Sequence, residues 1–338
     1  MKILRNKTIL ITGATGSFGN AAIKYLVEKC ELKKIIIFSR DELKQYDMLN
    51  KLIQEGFDKK KLRFLLGDIR DKERLNLAFK DVDYVIHAAA LKQIPAAEYN
   101  PQECINTNIN GAHNIIMAAL QQKVKKVIAL STDKACNPIN LYGATKLASD
   151  KLFVSANNLD GKKETIFSVV RYGNVINSRG SVIPFFLNLV EQGKNVLPLT
   201  SEKMSRFFIS LEEGVKFVID SFYRMQGGEI FVPKLSTIFL KDLVKAFDCK
   251  YKVVGIRPGE KTHEVLCSRE ETHLTIEFKN HYVIKPSTWD WQASSVNYLK
   301  NKKKETGKYL KEEFEYASNT NKDILNIEKI KKIISSLK

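Results

Sequence analysis

The sequence predicts a doubly wound α/β fold, a parallel sheet covered by helices on both faces, with a smaller C-terminal α/β lobe. Three observations support this prediction. Short β-branched runs alternate with longer helical patterns through the first half of the chain, a glycine-rich turn follows the first run, and the alternation stops after Arg171. Segments that carry Gly and Pro follow Arg171, which indicates that a second lobe begins there.

The alternating runs give the individual elements. Parallel strands that are buried on both faces are short and rich in Val, Ile and Leu. On this basis we predict strands at residues 8–12, 34–39, 62–66, 84–87, 126–130 and 165–171. Helices are predicted at residues 20–29, 71–79, 106–121 and 142–157. Asp71 has the residue type and the position of a helix N-cap.

The same pattern predicts how the chain divides into domains. We expect a larger domain at residues 1–174, joined by a return segment at about 208–233 that contains a late strand at 230–232. Residues 175–207 and 234–338 would form the smaller lobe. Apolar residues recur at helical spacing from Ile324 to Leu337, which predicts a closing amphipathic helix.

The charge balance bears on possible partners. The 338 residues include 55 Lys and Arg against 38 Asp and Glu, a formal net charge of +17 that would attract polyanions such as nucleic acid. The basic residues are scattered, however, and the densest run, Lys302-Lys303-Lys304, is followed by Glu305. We therefore expect a lysine-rich solvated surface and no nucleic-acid partner, with a phosphorylated small molecule using part of the field.

Several classes of protein are excluded by what the sequence lacks. The apolar runs are too short to span a bilayer, and the N-terminus lacks the apolar core of a signal peptide, so we expect a cytoplasmic protein with no membrane partner. The five cysteines form no Cys-x-x-Cys pair and the five histidines no His-Glu-x-x-His pattern. We therefore expect reduced thiols and no bound metal.

The first predicted strand runs into a glycine-rich turn, Gly13-Ala14-Thr15-Gly16-Ser17-Phe18-Gly19, and then into a helix. Backbone N–H groups and the positive end of a helix converge at such a turn, which suits the pyrophosphate of a dinucleotide. We expect cofactor contacts here from Gly13, Thr15, Gly16, Ser17, Phe18 and Gly19.

The end of the second strand bears on which dinucleotide is bound. Ser39-Arg40-Asp41 stands where an acidic residue would accept the ribose hydroxyls of NAD, whereas a cation would bind the 2′-phosphate of NADP. Arg40 favours NADP, and Asp41 leaves NAD open. Ser39 belongs to the same predicted contact set.

Two further strand ends supply cofactor candidates. Asp68 and Ile69 follow the third strand, where the Asp68 carboxylate could accept from an adenine amino group or, alternatively, cap a helix. Ala88 and Ala89 end the fourth strand with small side chains that let a cofactor lie close to the backbone, and Lys92 follows in the same loop. His87, within that strand, is predicted to be structural.

The residues after the fifth strand form the main candidate for catalysis. Thr132, Asp133 and Lys134 follow its end, and Tyr142 and Lys146 lie one helical turn apart at the start of the next helix. A lysine ammonium beside a phenol lowers the pKa of the phenol, which makes the phenolate a base for a hydroxyl that is being oxidised. Strand ends in an α/β sheet open onto ligand crevices, so Asp133 and Lys134 are expected to reach a substrate.

These motifs resemble those of the extended short-chain dehydrogenase/reductases, and within them the inverting UDP-N-acetylglucosamine 4,6-dehydratases of the pseudaminic acid pathway. The resemblance covers almost the whole chain and rests on residues 13–19, 38–45, 87–93, 131–137, 141–146, 171–175, 178–184 and 257–261. Retaining relatives usually carry Glu in place of Lys134 or Met in place of Tyr142. Ser205-Arg206-Phe207-Phe208 departs from the Thr-Arg-Phe-Trp of relatives, which affects fine substrate contacts rather than the reaction.

The resemblance implies a Rossmann-type domain with a tightly bound, recycled NADP and a smaller lobe that binds UDP-N-acetylglucosamine. Tyr142, assisted by Lys146 and Thr132, would handle the C4 hydroxyl proton. Lys134 would remove the C5 proton and Asp133 would protonate the departing C6 hydroxyl, giving UDP-2-acetamido-2,6-dideoxy-β-L-arabino-hex-4-ulose. For this role we expect burial and nearby cations such as that of Lys92 to lower the pKa of Lys134.

The resemblance also implies a substrate-binding set and a biological setting. Substrate contacts are expected from Lys92, Asn174, Arg179, Ser181, Val182, Arg206, Arg257 and Glu260. The product would enter pseudaminic acid glycans such as those on flagella, and relatives of this kind form homo-oligomers.

Two alternatives stay open. One is a retaining dehydratase or a 4-epimerase, against which Lys134 after Asp133 argues. The other is a non-catalytic NADP-sensing regulator, which would need none of Tyr142, Lys146 and Asp133.

Overall fold

A ten-stranded sheet forms the centre of the computed structural model, which describes residues 2–161, 164–287, 296–310 and 313–337. The strands are β1 (Thr8–Thr12), β2 (Lys34–Ser39), β3 (Leu62–Leu66), β4 (Tyr84–His87), β5 (Lys126–Thr132), β6 (Ile166–Tyr172), β7 (Asn174–Val175), β8 (Val196–Leu199), β9 (Ser205–Ile209), β10 (Ile230–Pro233), β11 (Ser236–Phe239), β12 (Lys250–Val253), β13 (Val265–Cys267), β14 (Thr275–Glu277), β15 (His281–Ile284), β16 (Lys308–Tyr309) and β17 (Tyr316–Ala317). The α-helices are α1 (Ser17–Lys29), α2 (Glu42–Gln54), α3 (Lys72–Ala78), α4 (Ile94–Tyr99), α5 (Pro101–Ile105), α6 (Gly111–Gln121), α7 (Leu141–Ser155), α8 (Val182–Glu191), α9 (Leu211–Arg224), α10 (Leu240–Ala246) and α11 (Ile327–Ser335).

Seven neighbouring strands of the large sheet run parallel, in the order β10-β6-β5-β4-β1-β2-β3. The chain winds outward in one direction from β1 to β3 and in the other from β4 onward, so the strand order reverses between β1 and β4. This confirms the predicted doubly wound fold. Ligand crevices open at the carboxyl ends of the strands beside such a reversal, which places the site.

The predicted elements of this half agree closely with the structure. The strands at 8–12, 34–39, 62–66 and 84–87 are confirmed to the residue, and the next two end one or two residues later than predicted. The return strand is confirmed as β10, and Asp71 accepts the Arg74 backbone N–H at 2.9 Å as the N-cap of α3. All five residues of β1 are buried, because helices cover both faces of the sheet.

The helix predicted at 106–121 begins earlier and contains an irregular turn. Residues Asn106–Asn110 form a π-helical turn between α5 and α6. Asn108, in this turn, is 2% exposed, accepts the Leu91 backbone N–H at 2.8 Å and donates to the Leu91 carbonyl at 2.9 Å. The turn therefore fixes the loop that follows β4, which lines the site.

Strands from the C-terminal third extend the large sheet. β15 pairs antiparallel with β10, β14 with β15, and β16 with β14. The predicted smaller lobe at 234–338 included these residues, so part of that range belongs to the same sheet as the first domain. Their packing explains this placement, since Ile276, Val283 and Ile284 are buried in the main hydrophobic core.

A second hydrophobic core lies in the C-terminal part of the chain. It contains Phe186 of α8, Leu197 of β8, Leu243 of α10, and Ile330 and Ile334 of α11. The predicted amphipathic helix is confirmed as α11, which buries these two isoleucines. Within the described ranges, every helix is too short or too polar to cross a membrane.

Candidate active site

A cleft of about 980 Å³ opens at the carboxyl ends of the parallel strands. Its wall is formed by the glycine-rich turn after β1, the ends of β2 to β5, the start of α7 and the loop after β6. The structure brings into this one cleft every residue predicted to be catalytic or to bind the cofactor. They are Gly13, Thr15, Gly16, Ser17, Phe18, Gly19, Ser39, Arg40, Asp41, Asp68, Ile69, Ala88, Ala89, Lys92, Thr132, Asp133, Lys134, Tyr142 and Lys146.

The glycine-rich turn packs tightly against the end of β4. Gly13 has a φ of +63°, and a Cβ at this position would lie 2.8 Å from the Ala89 Cα. A Cβ on Gly19 would lie 2.1 Å from the Ala14 carbonyl oxygen. α1 begins at Ser17, and no side chain caps its first backbone N–H groups. The positive end of this helix lies at the turn. A dinucleotide pyrophosphate fits this geometry.

We expect Gly19→Ala to lower the free energy of unfolding by about 2 kcal/mol or more and to weaken dinucleotide binding. The added methyl would meet backbone rather than a side chain that can move away. Thermal unfolding with and without NADP measures both effects. Gly161→Ala is the matched control, because a Cβ there meets no described atom within 4 Å. Equal melting temperatures for the two variants would contradict the prediction.

His87 joins the ends of β1 and β4. The Thr12 hydroxyl bonds the His87 Nδ1 at 2.8 Å and accepts from the backbone N–H groups of Ala88 and Ala89. Burial lowers the pKa of His87 to about 3, so the ring is neutral. Its predicted structural role is confirmed.

Cations surround the end of β2. Asp41 caps α2 by accepting the Lys44 backbone N–H at 3.0 Å and also pairs with the Lys44 ammonium, and these hydrogen bonds lower the pKa of Asp41. Arg40 lies 3.4 Å from Asp68 and is 54% exposed, and Arg179 is close enough for its charge to act on Asp41. Arg40, Lys44 and Arg179 all line the cleft.

The end of β3 is held by an ion pair. Asp68 accepts the Arg70 backbone N–H at 2.9 Å and its guanidinium at 2.7 Å. Burial works against the charge on Asp68, but the Arg70 hydrogen bonds outweigh burial and lower the pKa of the carboxyl. The alternative that Asp68 caps a helix is wrong, because Asp71 caps α3.

Thr132 ends β5, and Asp133 and Lys134 lie in the short turn Asp133–Ala135 that follows it. Asp133 is fully buried, and its Oδ1 accepts from the Thr132 hydroxyl at 2.9 Å and from the Lys134 Nζ at 3.0 Å. Its Oδ2 is buried and has no hydrogen-bond partner among the described residues. One carboxylate oxygen is thus fixed to the turn, while the other is left for a further donor.

Tyr142 and Lys146 enter the cleft from the first turns of α7. Asn140 caps this helix by accepting the Gly143 backbone N–H at 2.7 Å. The Thr132 hydroxyl acts on the Tyr142 phenol by opposing the rise that burial causes in its pKa, so the start of the helix lies near the end of β5. The predicted spacing therefore places both side chains beside Asp133 and Lys134.

The predicted pKa of Tyr142 is wrong for this structure. Burial raises the pKa of Tyr142 to about 12, and the lysine whose charge opposes this is Lys134 rather than Lys146. Burial also lowers the pKa of Lys146, and the Asp150 carboxylate partly offsets that effect. Desolvation therefore outweighs the ion–phenol attraction that the spacing predicted.

The predicted lowering of the Lys134 pKa is also wrong. Burial lowers it, but the Asp133 and Glu264 carboxylates outweigh burial and raise the pKa above its ordinary value. The Lys134 Nζ lies 3.0 Å from Asp133 and 3.3 Å from Glu264. The lysine whose pKa is lowered here is Lys92, because burial lowers it and the charge of Lys134 adds to that effect.

Half of the predicted substrate set lines the cleft, namely Lys92, Asn174, Arg179 and Ser181. Arg179 lies at the cofactor end, where its backbone N–H donates to the Ser17 hydroxyl at 3.1 Å. The loop that carries it therefore crosses from β7 to the glycine-rich turn.

The other four predicted substrate residues lie outside the cleft wall. Val182 begins α8 and packs against the second core. Arg206 is buried and donates to the backbone carbonyls of Ser205, Lys261 and Thr262. Arg257 is exposed and pairs with Glu260, whose Oε2 is buried and has no hydrogen-bond partner within the ranges that the structure describes.

Three residues of the site were not predicted from the sequence. Asn108 fixes the loop after β4, and Glu264 contacts Lys134. Asp150 lies one turn beyond Lys146 and accepts the Ser131 hydroxyl at 2.7 Å. Only Asp150 left a signal in the sequence, since it continues the four-residue spacing of Tyr142 and Lys146.

Comparisons with known proteins agree with this site. Residues 9–286 match the family of polysaccharide biosynthesis proteins. The inverting UDP-N-acetylglucosamine 4,6-dehydratase of Campylobacter jejuni subsp. jejuni serotype O:23/36 (strain 81-176) is 54% identical, over 94% of each chain. A UDP-glucose 4-epimerase of Rickettsia bellii (strain OSU 85-389) is 42% identical, over 98% of this chain and 96% of the relative. The X-ray structure of Pen from Bacillus thuringiensis superposes with a TM-score of 0.86 at 33% identity, covering 98% and 99% of the two chains.

The fold and the cleft define a doubly wound α/β enzyme of the extended short-chain dehydrogenase/reductase type, with a Tyr-Lys pair beside an Asp-Lys pair. Within that class, the chain belongs to the family of polysaccharide biosynthesis proteins. The predicted resemblance to the inverting dehydratases is confirmed by the Campylobacter relative.

Proposed function

We propose that this chain is an NADP-dependent UDP-N-acetylglucosamine 4,6-dehydratase that inverts C5 of the sugar. One observation carries the proposal: the Asp133–Lys134 hydrogen bond lies in the same cleft as Tyr142 and Lys146. A hydroxyl oxidation and an elimination at adjacent carbons need two such acid–base pairs in one site. The inverting dehydratase that is 54% identical supports this proposal.

The residues at the glycine-rich turn fit a dinucleotide, and those at the end of β2 favour NADP. Arg40, Lys44 and Arg179 bring three cations to the point where a 2′-phosphate would lie. Both oxygens of Asp41 are held by Lys44, which leaves this carboxylate poorly placed to accept ribose hydroxyls. A bound nicotinamide would supply the hydride acceptor for C4 of the sugar and the hydride donor for C6.

We expect Arg40→Ala to weaken NADP binding about ten- to hundred-fold and to change NAD binding by less than about two-fold. The charge-assisted bonds to a 2′-phosphate would be lost, and NAD has no such phosphate. Titration calorimetry with both cofactors measures the two affinities. Arg63→Ala, on the exposed side of β3, is the control and should bind both as the parent does. Equal losses for NAD and NADP would contradict the assignment.

Tyr142 is proposed to take the C4 hydroxyl proton. In the structure burial holds its phenol in the neutral form, and the Thr132 hydroxyl and the Lys134 charge are the groups that oppose this effect. The positive charge of a bound oxidised nicotinamide would add to them. Lys146, four residues along α7 and 4% exposed, would supply a further cation to the same end of the site.

Asp133 and Lys134 are proposed to carry out the elimination. The base must start as a neutral amine and the acid as a neutral carboxyl, whereas the structure contains the ammonium–carboxylate pair. Transfer of one proton along the 3.0 Å hydrogen bond from Lys134 to Asp133 converts one state into the other. In the elimination, Lys134 takes the proton of C5, and Asp133 gives its proton to the leaving hydroxyl. The pair can therefore reset itself without solvent.

The finer expectations from the sequence are proposed as well. Lys92, Asn174 and Ser181 would contact the sugar nucleotide from the cleft wall, with Val182, Arg206, Arg257 and Glu260 behind or beside them. We also propose that the chain is a cytoplasmic homo-oligomer and that its product leads to pseudaminic acid glycans such as those of flagella.

A 4-epimerase is the second candidate, favoured by the 42% identical Rickettsia relative. An epimerase moves hydride only at C4 and leaves the C6 oxygen in place, so it has no use for the Asp133–Lys134 pair. Mass spectrometry of the UDP-sugar after incubation with UDP-N-acetylglucosamine separates the two reactions. Loss of one water supports the dehydratase, and an isomer of unchanged mass would support the epimerase.

A further inference from the structure

Glu264 lies directly behind the turn that carries Lys134. It precedes β13, and its side chain is only 2% exposed. Its Oε1 lies 3.3 Å from the Lys134 Nζ. The same Nζ lies 3.0 Å from the Asp133 Oδ1. The ammonium of Lys134 is therefore held between two buried carboxylates, of which only Asp133 lines the cleft.

The other cations near Glu264 are farther away and have other partners. The Arg206 Nε lies 3.7 Å from Oε1, and the Arg206 guanidinium donates to three backbone carbonyls. The Lys261 Nζ lies 3.8 Å from Oε2 and donates to the Cys136 carbonyl at 2.6 Å. In the described part of the chain, Glu264 Oε2 has no hydrogen-bond partner. The shortest ion pair of Glu264 is thus the one with Lys134.

The segment that carries Glu264 is held through its backbone. Its backbone N–H donates to the Ser318 hydroxyl at 2.9 Å, and its carbonyl accepts the Ser318 backbone N–H at 2.8 Å. Burial of a carboxylate with one oxygen unpaired is unfavourable for folding. Because burying the Glu264 carboxylate is unfavourable for folding, we look for its role at Lys134, the partner in its shortest ion pair.

We propose that Glu264 is a positioning residue for the elimination: it fixes the amine of Lys134 toward the cleft and stabilises the positive charge that this amine gains from C5. The proposal rests on the proposed dehydratase function and deepens it.

In the elimination, the C5–H electron pair becomes the second bond between C5 and C6, and the proton goes to the Lys134 Nζ. The C6–O bond breaks, and the hydroxyl leaves as water with the proton of Asp133. Lys134 goes from neutral to positive and Asp133 from neutral to negative, so charge is conserved. Relative to the neutral pair from which the elimination starts, an ionised Glu264 at 3.3 Å lowers the energy of this charge-separated state, because it attracts the new ammonium.

The charges of the cluster act on Glu264 in both directions. Burial and the Asp133 charge raise the pKa of Glu264, while the cations of Lys134, Arg206 and Lys261 oppose that rise. Glu264 is in turn one of the two carboxylates that raise the pKa of Lys134.

The test is Glu264→Gln, which keeps the shape of the side chain and removes its charge. We expect turnover of UDP-N-acetylglucosamine to fall about ten-fold or more, with KM changed little. The isotope effect from deuterium at C5 should increase, because C5–H cleavage becomes slower relative to the other steps. C4 oxidation should persist, so absorbance of the reduced nicotinamide should build up during turnover. Glu270→Gln, on the exposed side of the next loop, is the matched control and should behave as the parent.

Wild-type turnover with an unchanged isotope effect in Glu264→Gln would overturn the proposal. So would a loss of turnover in which no reduced nicotinamide accumulates, since that result reports damage before the elimination. If Glu264→Gln does not fold, Glu264→Asp is measured in its place. Aspartate keeps the negative charge, but its shorter side chain holds that charge farther from Lys134. A lower rate with a larger isotope effect supports the proposal, and a lower rate with the parent isotope effect refutes it. Failure of the parent protein to make any dehydrated sugar would instead refute the proposed function.

Discussion

Lys134→Met is expected to lower the rate of dehydration by about a hundred- to ten-thousand-fold, the usual contribution of a general base, while NADP binding is retained. Methionine has a similar length but cannot take the C5 proton. C4 oxidation should still occur, so reduced nicotinamide should accumulate without formation of the dehydrated sugar. Because the charge of Lys134 also lowers the pKa of Tyr142, the remaining oxidation should require a higher pH than in the parent.

The measurements are the rate of product formation and the absorbance of the reduced nicotinamide across pH. Lys194→Met, an exposed lysine in the turn after α8, serves as the control and should retain parent activity. Full turnover by Lys134→Met would remove Lys134 from the mechanism. A variant that neither turns over nor reduces the nicotinamide would show that Lys134 acts in the first step rather than in the elimination.

Tyr142→Phe is expected to block the reaction one step earlier, with a loss of about a hundred- to ten-thousand-fold in turnover. Phenylalanine keeps the ring in its buried position and removes the hydroxyl that is proposed to take the C4 proton. Reduced nicotinamide should therefore not accumulate, which distinguishes this variant from Lys134→Met. Stopped-flow absorbance after mixing with UDP-N-acetylglucosamine makes the comparison.

Tyr99→Phe is the control for this substitution, because Tyr99 is 87% exposed and lies outside the cleft wall. It should reduce its nicotinamide and form product as the parent does. Build-up of reduced nicotinamide in Tyr142→Phe would contradict the assignment. The base for C4 would then be sought elsewhere in the cleft, with Tyr172 as the next phenol.

The first half of the fold was predictable because most of its strands are buried on both faces. β1, β2 and β4 are largely apolar runs, whereas β3 lies at the edge of the sheet and is partly exposed, and the bounds of all four were predicted to the residue. The antiparallel extension by β14, β15 and β16 was not predicted. These strands have two to four residues each and include polar members such as Glu277 and His281, so the sequence shows no long apolar run.

The members of the cleft were predictable for a related reason. Parallel strands bring their carboxyl ends to one edge of the sheet, so residues that follow several strands meet there whatever their separation in sequence. Glu264 was not predicted because it does not follow a strand of the parallel sheet. It reaches Lys134 through packing of the segment before β13, and only the folded chain shows that contact.

The two pKa predictions were wrong because neither the degree of burial nor the charged neighbours of a side chain can be read from residue spacing. The spacing of Tyr142 and Lys146 correctly placed both side chains in one cleft, but desolvation dominates the pKa of each. For Lys134 the expected effect of burial is present, and two carboxylates outweigh it. A hydrogen-bonded Asp133–Lys134 pair remains compatible with base catalysis, because one internal proton transfer produces the neutral amine.

The most direct test of the proposed function is the configuration at C5 of the product formed in deuterated water. The purified protein is incubated with UDP-N-acetylglucosamine, without added cofactor, and the sugar is examined by NMR. We predict a 4-keto-6-deoxy sugar of L-arabino configuration that carries deuterium at C5. A product that retains the original configuration at C5, or one that retains its C6 oxygen, would contradict the inverting elimination by Asp133 and Lys134.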